Sequence, residues 1–287
     1  MSTKRDDPPS NLRSLSTRID NLARRLGRPV RRVQRAVANT VVGQMIPPGV
    51  VKGGTAMKLR VGEAGSRFTP DLDVARAAGL SLDDYLAQLG DRLADGWGGF
   101  TGTVTELDGP SPAGVPDDYV MQPFDVRLAY RSRHWLTVPF ELGRDEIGST
   151  TREELRIAGD ILDMFELIGL DAPAPIPVLA VDHQVAQKLH ACTAVNARTG
   201  RNERAHDLVD LQILAQEEQL DFPAIGATSR RLFAARHGHP WPPTVVAYGG
   251  WETIYAEAAA GLDVLGNVAD AVAWANDLIA RAVRESG

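Results

Sequence analysis

The sequence predicts an α+β fold: N-terminal helices, a small mixed β-sheet over about 49–145, and a helical C-terminal half. Three observations predict it. Apolar residues recur every three or four positions near the N-terminus, strict two-residue alternation marks the middle, and helix signals dominate the rest. Between the last two lies Asp171-Ala-Pro-Ala-Pro-Ile-Pro177, a semi-rigid stretch that sets the expected domains at 1–170 and 171–287.

From Asn11 to Arg25, Leu12, Leu15, Ile19 and Leu22 form the apolar face of a helix that Gly27 should end. Pro29 suits the start of a second helix, Val30 to Met45, closed by Pro47-Pro48-Gly49. Ser81-Leu82-Asp83-Asp84 resembles a capping box for a helix to about Leu93, and Trp97 to Leu107 reads as a strand. Residues 108–118 are turn-forming throughout. Phe124, Val126, Leu128 and Tyr130, then Leu136, Val138, Phe140 and Leu142, alternate with other residues across a turn at 131–134, which predicts an antiparallel pair. Thr151-Arg152-Glu153-Glu154 is a further capping signal, and Asp182 can cap a helix bearing Val185, Leu189 and Cys192. Further helices fit 203–216, 222–236, 251–261 and 264–284, with His239-Pro-Trp-Pro-Pro243 as a rigid loop.

With 287 residues the chain can bury a full core, and 44% hydrophobic with 24% charged content is ordinary for a globular protein. No apolar run reaches the ~20 residues of a membrane span. The opening MSTKRDDPPSN has no apolar segment behind its charges, so no secretory signal is read there. The single cysteine, Cys192, fits a reducing cytoplasm and falls in an apolar helical pattern as an inert core residue. Residues 1–35 hold ten Lys or Arg and three Asp, a balance of +7, which leaves −13 for the remainder of a chain of net charge −6. Basic charge gathered at one end, with Arg24, Arg25, Arg28, Arg31, Arg32 and Arg35 around the helix junction, points to nucleic acid; a merely solvated helix face is the alternative.

Chemistry concentrates between Val50 and Ala75. Gly53-Gly54-Thr55 lets backbone approach a phosphate with donors in reach, although it lacks the Gly-Lys-Ser/Thr ending of a Walker loop. Lys52 and Lys58 flank it and can each contact phosphate, one of them being simply solvated in the alternative, while Arg67 and Thr69 precede Asp71-Leu72-Asp73 and can line the same pocket. On a strand Asp71 and Asp73 share a face, as suits a hard divalent cation bound with substrate phosphates. By parity Glu141 faces away from Phe140 and Leu142; it either joins the two aspartates or is simply the exposed member of an alternating strand.

A second constellation is Lys188 with Arg204, Asp207 and Asp210. A Lys aimed into an acidic cleft neutralises triphosphate charge, whereas the plain alternative is an ion pair between neighbouring helices. His183 and His190 lack the two further ligands a zinc site needs.

In this order, Lys-Gly-Gly-Thr at 52–55, Arg-Phe-Thr-Pro-Asp-Leu-Asp at 67–73, and Lys188 with Asp207 and Asp210 resemble the AbiEii/AbiGii nucleotidyltransferase toxins of the DNA polymerase β-like superfamily. Asn11-Leu12-Arg13-Ser14-Leu15 and His239-Pro-Trp-Pro-Pro243 look closest to their mycobacterial MenT subgroup. The resemblance implies a nucleotidyltransferase core completed by the helical C-terminal domain. It also implies a cytoplasmic, Mg²⁺-dependent enzyme, Mn²⁺ being the alternative cation. This enzyme transfers a nucleoside monophosphate from a pyrimidine NTP, CTP especially, to tRNA 3′ ends, which blocks aminoacylation and translation. It makes Asp71 and Asp73 metal ligands with Glu141 as third carboxylate; Gly53, Gly54 and Thr55 the phosphate turn; Lys58 and Lys188 triphosphate contacts; and Asp210 with Asp207 the distal motif. A cognate antitoxin is implied, in one arrangement a kinase-like protein acting on a hydroxyl near the catalytic Asp, with Thr69 as the candidate and Ser66 and Thr55 as alternatives. A protein acceptor, giving an AMP- or UMP-transferase, and a nucleotide-binding module without turnover are the competing readings.

Overall fold

In the computed structural model, which describes residues 7–109, 120–195, 199–236 and 239–286, Asn11 opens the first helix, α1 (Leu12–Leu26), its side chain accepting from the Ser14 N–H at 2.9 Å. Gly27, at φ +61°, closes α1 with a left-handed cap, and α2 (Val30–Gly43) follows directly. Most of the loop expected over 108–118 lies outside the described residues. The chain divides into two compact units, Met1–Ala64 with Phe68–Val178, and Gly65–Arg67 with Leu179–Gly287.

The first unit is built on a seven-stranded mixed sheet. Its strands are β1 (Gly49–Lys52), β2 (Leu72–Arg76), β3 (Phe100–Glu106), β4 (Gln122–Tyr130), β5 (Arg133–Gly143), β6 (Glu154–Arg156) and β7 (Ile176–Val178), in the order β3-β4-β5-β2-β1-β7-β6. The predicted antiparallel pair is β4 with β5, but Arg131 and Ser132 alone make the turn, at φ +47° and +65°, so Arg133 and His134 are already strand. A bridge from Trp97 to Phe100 closes a turn on Gly98-Gly99, which starts β3 three residues later than expected.

The sheet extends past 145 for two reasons. The Thr151–Glu154 capping signal starts no helix. Instead Asp145 gathers the Gly148 and Thr150 N–H groups and the Ser149 hydroxyl into a tight turn, and β6 follows. The proline-rich stretch ends as β7, which pairs with β1 through Val178 alone, so Pro177 is outside that ladder.

One face of the sheet, with Leu72, Val74, Phe124, Val126, Val138 and Phe140, packs into a single core with the apolar faces of α1, α2, α4 (Leu82–Asp95) and α5 (Gly159–Ile168). Each fully buried Leu, Val or Phe there contributes about 1.5–3 kcal/mol. The opposite face is left to polar residues. Between β1 and β2 runs the short helix α3 (Gly53–Val61).

Five helices make the second unit: α6 (Val181–Thr193), α7 (His206–Glu217), α8 (Phe222–Arg236), α9 (Trp251–Ala259) and α10 (Val268–Glu285). Asp182 is not the cap of α6; it sits in the first turn, where the Thr228 hydroxyl donates to it at 2.8 Å. The last helix begins at Val268, later than expected, because Asn267 caps it through the Asp270 N–H. Gly226 lets α8 approach α10, since a Cβ there would stand 2.6 Å from the Ala282 carbonyl. Cys192 is a buried free thiol whose pKa burial pushes well up, in keeping with an inert core residue. Among the described residues no helix is long and apolar enough to cross a membrane.

Candidate active site

Strand register builds the first half of the site. Lys52 on β1 stands opposite Asp73 on β2, and Asp73 stands opposite Glu141 on β5, so one row across the polar face carries all three. Asp71 lies one residue before β2. The half-buried carboxylates of Asp71, Asp73 and Glu141 each offer an oxygen, and these lie within 4.8 Å of one another. Three converging anionic oxygens are a donor set for a hard divalent cation such as Mg²⁺ or Mn²⁺, so these residues fit the metal the sequence implies. Parity thus places Glu141 with the two aspartates.

Above the row sits the start of α3. Gly53 has φ +64°, and a Cβ there would stand 1.9 Å from Asp73 Oδ2; a Cβ on Gly54 would stand 2.1 Å from Thr69 Oγ1. Both glycines are therefore imposed by side chains pressed against the turn, in addition to any close phosphate. Lys52 caps α3 without a side-chain cap bond, and its Nζ lies 3.1 Å from Met121 Sδ.

Two expected phosphate contacts are placed otherwise. The Thr55 hydroxyl donates to the Asp71 carbonyl at 2.8 Å inside the protein, so it holds the carboxylate segment and does not face a ligand. Lys58 is buried against Glu63, which also pairs with Arg32. Burial lowers the Lys58 pKa against the pull of Glu63, as for a structural ion pair under the helix. Thr69 is also buried, and its hydroxyl has no hydrogen-bond partner.

The second unit holds the other constellation. Lys188 on α6 donates to Asp207 at 3.0 Å and Asp210 at 2.6 Å, both on α7. Arg67 Nε and Nη2 close on the Asp210 carboxylate at 3.0–3.1 Å, and Arg204 Nε donates to Asp207 at 2.7 Å. Burial alone would raise both carboxyl pKa values, but Lys188 with Arg67 and Arg204 overcomes it and holds them low. Burial likewise opposes the Lys188 charge, and Asp210 and Asp207 more than offset it, raising its pKa. Both aspartates of this distal motif are 0% exposed, and they hold cations. Three cations, Lys188, Arg67 and Arg204, share the two carboxylates.

The six N-terminal arginines do not form one free patch. Arg24, Arg25 and Arg31 are exposed and Arg28 is half-buried. Arg32 pairs with Glu63, and Arg35 donates to the Thr137 carbonyl at 2.6 Å, where burial lowers its pKa while Asp125 and Asp71 act the other way. These two are anchored within the fold, although both stay half-buried and not fully enclosed.

Sequence reasoning passed over Asn39. It is 1% exposed on α2, and its amide donates to Thr55 Oγ1 at 3.0 Å and to the Asp71 carbonyl at 2.9 Å. The signal was an amide in the otherwise apolar run Val37-Ala38-Asn39-Thr40-Val41-Val42. Glu63, the partner of Lys58 and Arg32, carried no such signal.

Residues 44–272 match the family model described as nucleotidyl transferase AbiEii toxin, type IV toxin–antitoxin system. A solved structure, MenT4, a nucleotidyltransferase toxin from Mycobacterium tuberculosis H37Rv, shares the fold at a TM-score of 0.51 and 21% identity, over 94% of this chain and 99% of that one. No curated protein matches at a significant level. With the family match spanning most of its length, the chain belongs to the AbiEii family of nucleotidyltransferase toxins.

Proposed function

We propose that this nucleotidyltransferase moves a nucleoside monophosphate from a pyrimidine NTP, CTP foremost, to the 3′ end of tRNA in the cytoplasm, and so stops aminoacylation and translation. The observation that carries the reading is the row of Asp73 and Glu141 with Asp71, beneath the Gly53-Gly54 turn. Asp71, Asp73 and Glu141 would hold Mg²⁺ or Mn²⁺. When bound, the cation polarises the phosphoryl oxygens and offsets the charge that builds on them. The N-terminus of α3 and the Lys52 ammonium give the triphosphate dipole and charge to bind. In the second unit Asp210 holds Arg67 and Lys188 together, and the resemblance alone makes these two triphosphate contacts. The acceptor 3′ oxygen bonds to the α-phosphorus, the bond to the bridging oxygen breaks, pyrophosphate leaves, and the hydroxyl proton passes to solvent.

The RNA acceptor is supported by the +7 balance of residues 1–35, of which Arg24, Arg25 and Arg31 remain exposed. A cognate antitoxin follows from the type IV toxin–antitoxin family, with Thr69 as its candidate target. Because Thr69 presses on Gly54, a phosphate there would need the turn to open.

The test incubates purified protein with total tRNA, Mg²⁺ and each labelled NTP in turn. Label should enter RNA, most from CTP, and Asp73→Ala should abolish it while the circular dichroism stays unchanged. Label in protein bands alone would move the acceptor to a side chain, and nucleotide binding with no product would make the chain a binder.

A further inference from the structure

We propose that Asn39 is a positioning residue, the clamp that sets the Asp71 carboxylate in the triad; this rests on reading the triad as a metal site. Asp73 is fixed by its strand, paired with Lys52 on one side and Glu141 on the other. Asp71 has no such support, because β2 begins at Leu72, whose partner on β5 is Phe140. A carboxylate one residue outside a ladder keeps its backbone freedom unless something else holds it.

The structure supplies that hold as a closed triangle. Asn39 Nδ2 lies 2.9 Å from the Asp71 carbonyl oxygen and 3.0 Å from Thr55 Oγ1, and Thr55 Oγ1 lies 2.8 Å from the same carbonyl. Thr55 belongs to the first turn of α3, so the triangle ties three segments together: α2, the Gly-Gly turn and the chain just before β2. The Asn39 oxygen, by contrast, is buried with no hydrogen-bond partner among the described residues. Burying an amide so that only its donor half is used disfavours folding relative to an apolar residue of similar size. Its neighbours Ala36, Val37, Ala38, Val41 and Val42 are all buried and apolar, and Thr40 bonds only to its own helix at Ala36. An amide in that setting is a cost to packing whose return is the position of Asp71. Groups that hold a metal's ligands in place set its affinity by about 10–100-fold.

The test measures Mn²⁺ binding to the full chain by loss of the free Mn²⁺ paramagnetic resonance signal, alongside kcat, KM for NTP and thermal midpoint. Asn39→Leu keeps the branched shape at Cγ, with two methyls in place of the oxygen and nitrogen, and leaves Thr55 to satisfy the Asp71 carbonyl. It should hold or raise the thermal midpoint while weakening Mn²⁺ binding at least about tenfold. The cation concentration that half-activates the enzyme should rise in parallel, with little change in KM. Thr55→Val, which keeps the shape and loses the hydroxyl, should weaken Mn²⁺ in the same sense, and Thr55→Ser should restore it. A folded Asn39→Leu with wild-type Mn²⁺ affinity overturns the clamp; should that variant fail to fold, unchanged affinity in Thr55→Val overturns it. Wild-type protein that binds no Mn²⁺ overturns the metal reading and, with it, the role of Asn39.

Discussion

At Gly53 the backbone turns at φ +64° with Asp73 Oδ2 1.9 Å from where a Cβ would stand, so two independent demands meet on one residue. The left-handed conformation costs a non-glycine residue about 1–2 kcal/mol. The clash displaces a carboxylate of the triad, and a misplacement of about 1 Å at a reacting centre costs roughly 100-fold in rate. Gly53→Ala should therefore lower nucleotidyl transfer by about that factor or more. The thermal midpoint should drop only modestly, since the core beneath the sheet is untouched. Gly27→Ala is the control: its φ is +61° but a Cβ there meets nothing within 4 Å, so it should cost stability and spare activity. Equal activity in the two variants would remove the Asp73 contact from the argument. The two aspartates of this region were legible as a pair in sequence because strand parity is a two-residue rule. Parity puts Asp71 with Asp73 and turns Glu141 away from Phe140 and Leu142; that Glu141 joins the two aspartates needed the register of β2 with β5. What supports them was not legible, because Thr55 and Lys58 look the same in a sequence whether their polar ends face a ligand or a neighbour. Only the three-dimensional placement of Asn39, Asp71 and Glu63 shows that both are spent inside the fold.

The helix α7 poses the same problem at the scale of an element. Its spacing marks Asp207 and Asp210 on a polar flank, yet both are fully buried, because Lys188 from α6 and Arg67 from the 65–67 segment meet them there. Local pattern cannot anticipate a partner 143 positions away, as Arg67 is from Asp210. The same limit explains the capping signal at Thr151, whose polar groups serve a turn organised by Asp145. Helices with their own caps, such as α1 on Asn11 and α4 on Ser81, were read with the right start to within a residue. The cationic cluster leaves a measurable trace on His206, the first residue of α7. Burial, with Arg67 and Arg204 adding to it, pushes its pKa down to about 4 despite Asp207 alongside. An unfolded chain takes up that proton near the ordinary value of 6.5, whereas the folded chain does so only near 4. The unfolded state thus binds more protons between the two values, and stability falls as pH drops through that window, by about 2 kcal/mol at pH 5 relative to neutral pH. His206→Gln should flatten this part of the pH profile. A profile as steep as wild type between pH 7 and 5 would assign the slope to other groups.

Over the whole molecule, charge is divided more sharply than composition suggests. Residues 1–35 carry +7 in a chain whose total is −6, so the remainder repels a polyanion while the N-terminal segment attracts it. Arg32 and Arg35 are held by Glu63 and the Thr137 carbonyl, so of the six arginines at the helix junction Arg24, Arg25 and Arg31 are exposed, with Arg28 half-buried beside them. Each phosphate neutralised by such a side chain releases condensed counterions, and the slope of log affinity against log salt steepens by about 0.7–0.9 per contact. If these three arginines hold the acceptor, replacing them together by Ser should reduce the salt slope of tRNA binding by about 2–3. The KM for tRNA should rise, most strongly at low salt. Both kcat at saturating tRNA and KM for NTP should stay near wild type, because none of the three residues lies in the carboxylate row. The thermal midpoint should also hold, since exposed arginines contribute little to folding. Replacing Arg32 and Arg35 should do the reverse, lowering the midpoint by breaking internal bonds while leaving the salt slope almost unchanged. A salt slope that is identical in wild type and the triple variant would place the RNA elsewhere on the protein, and the charge at the N-terminus would then be no more than a solvated face.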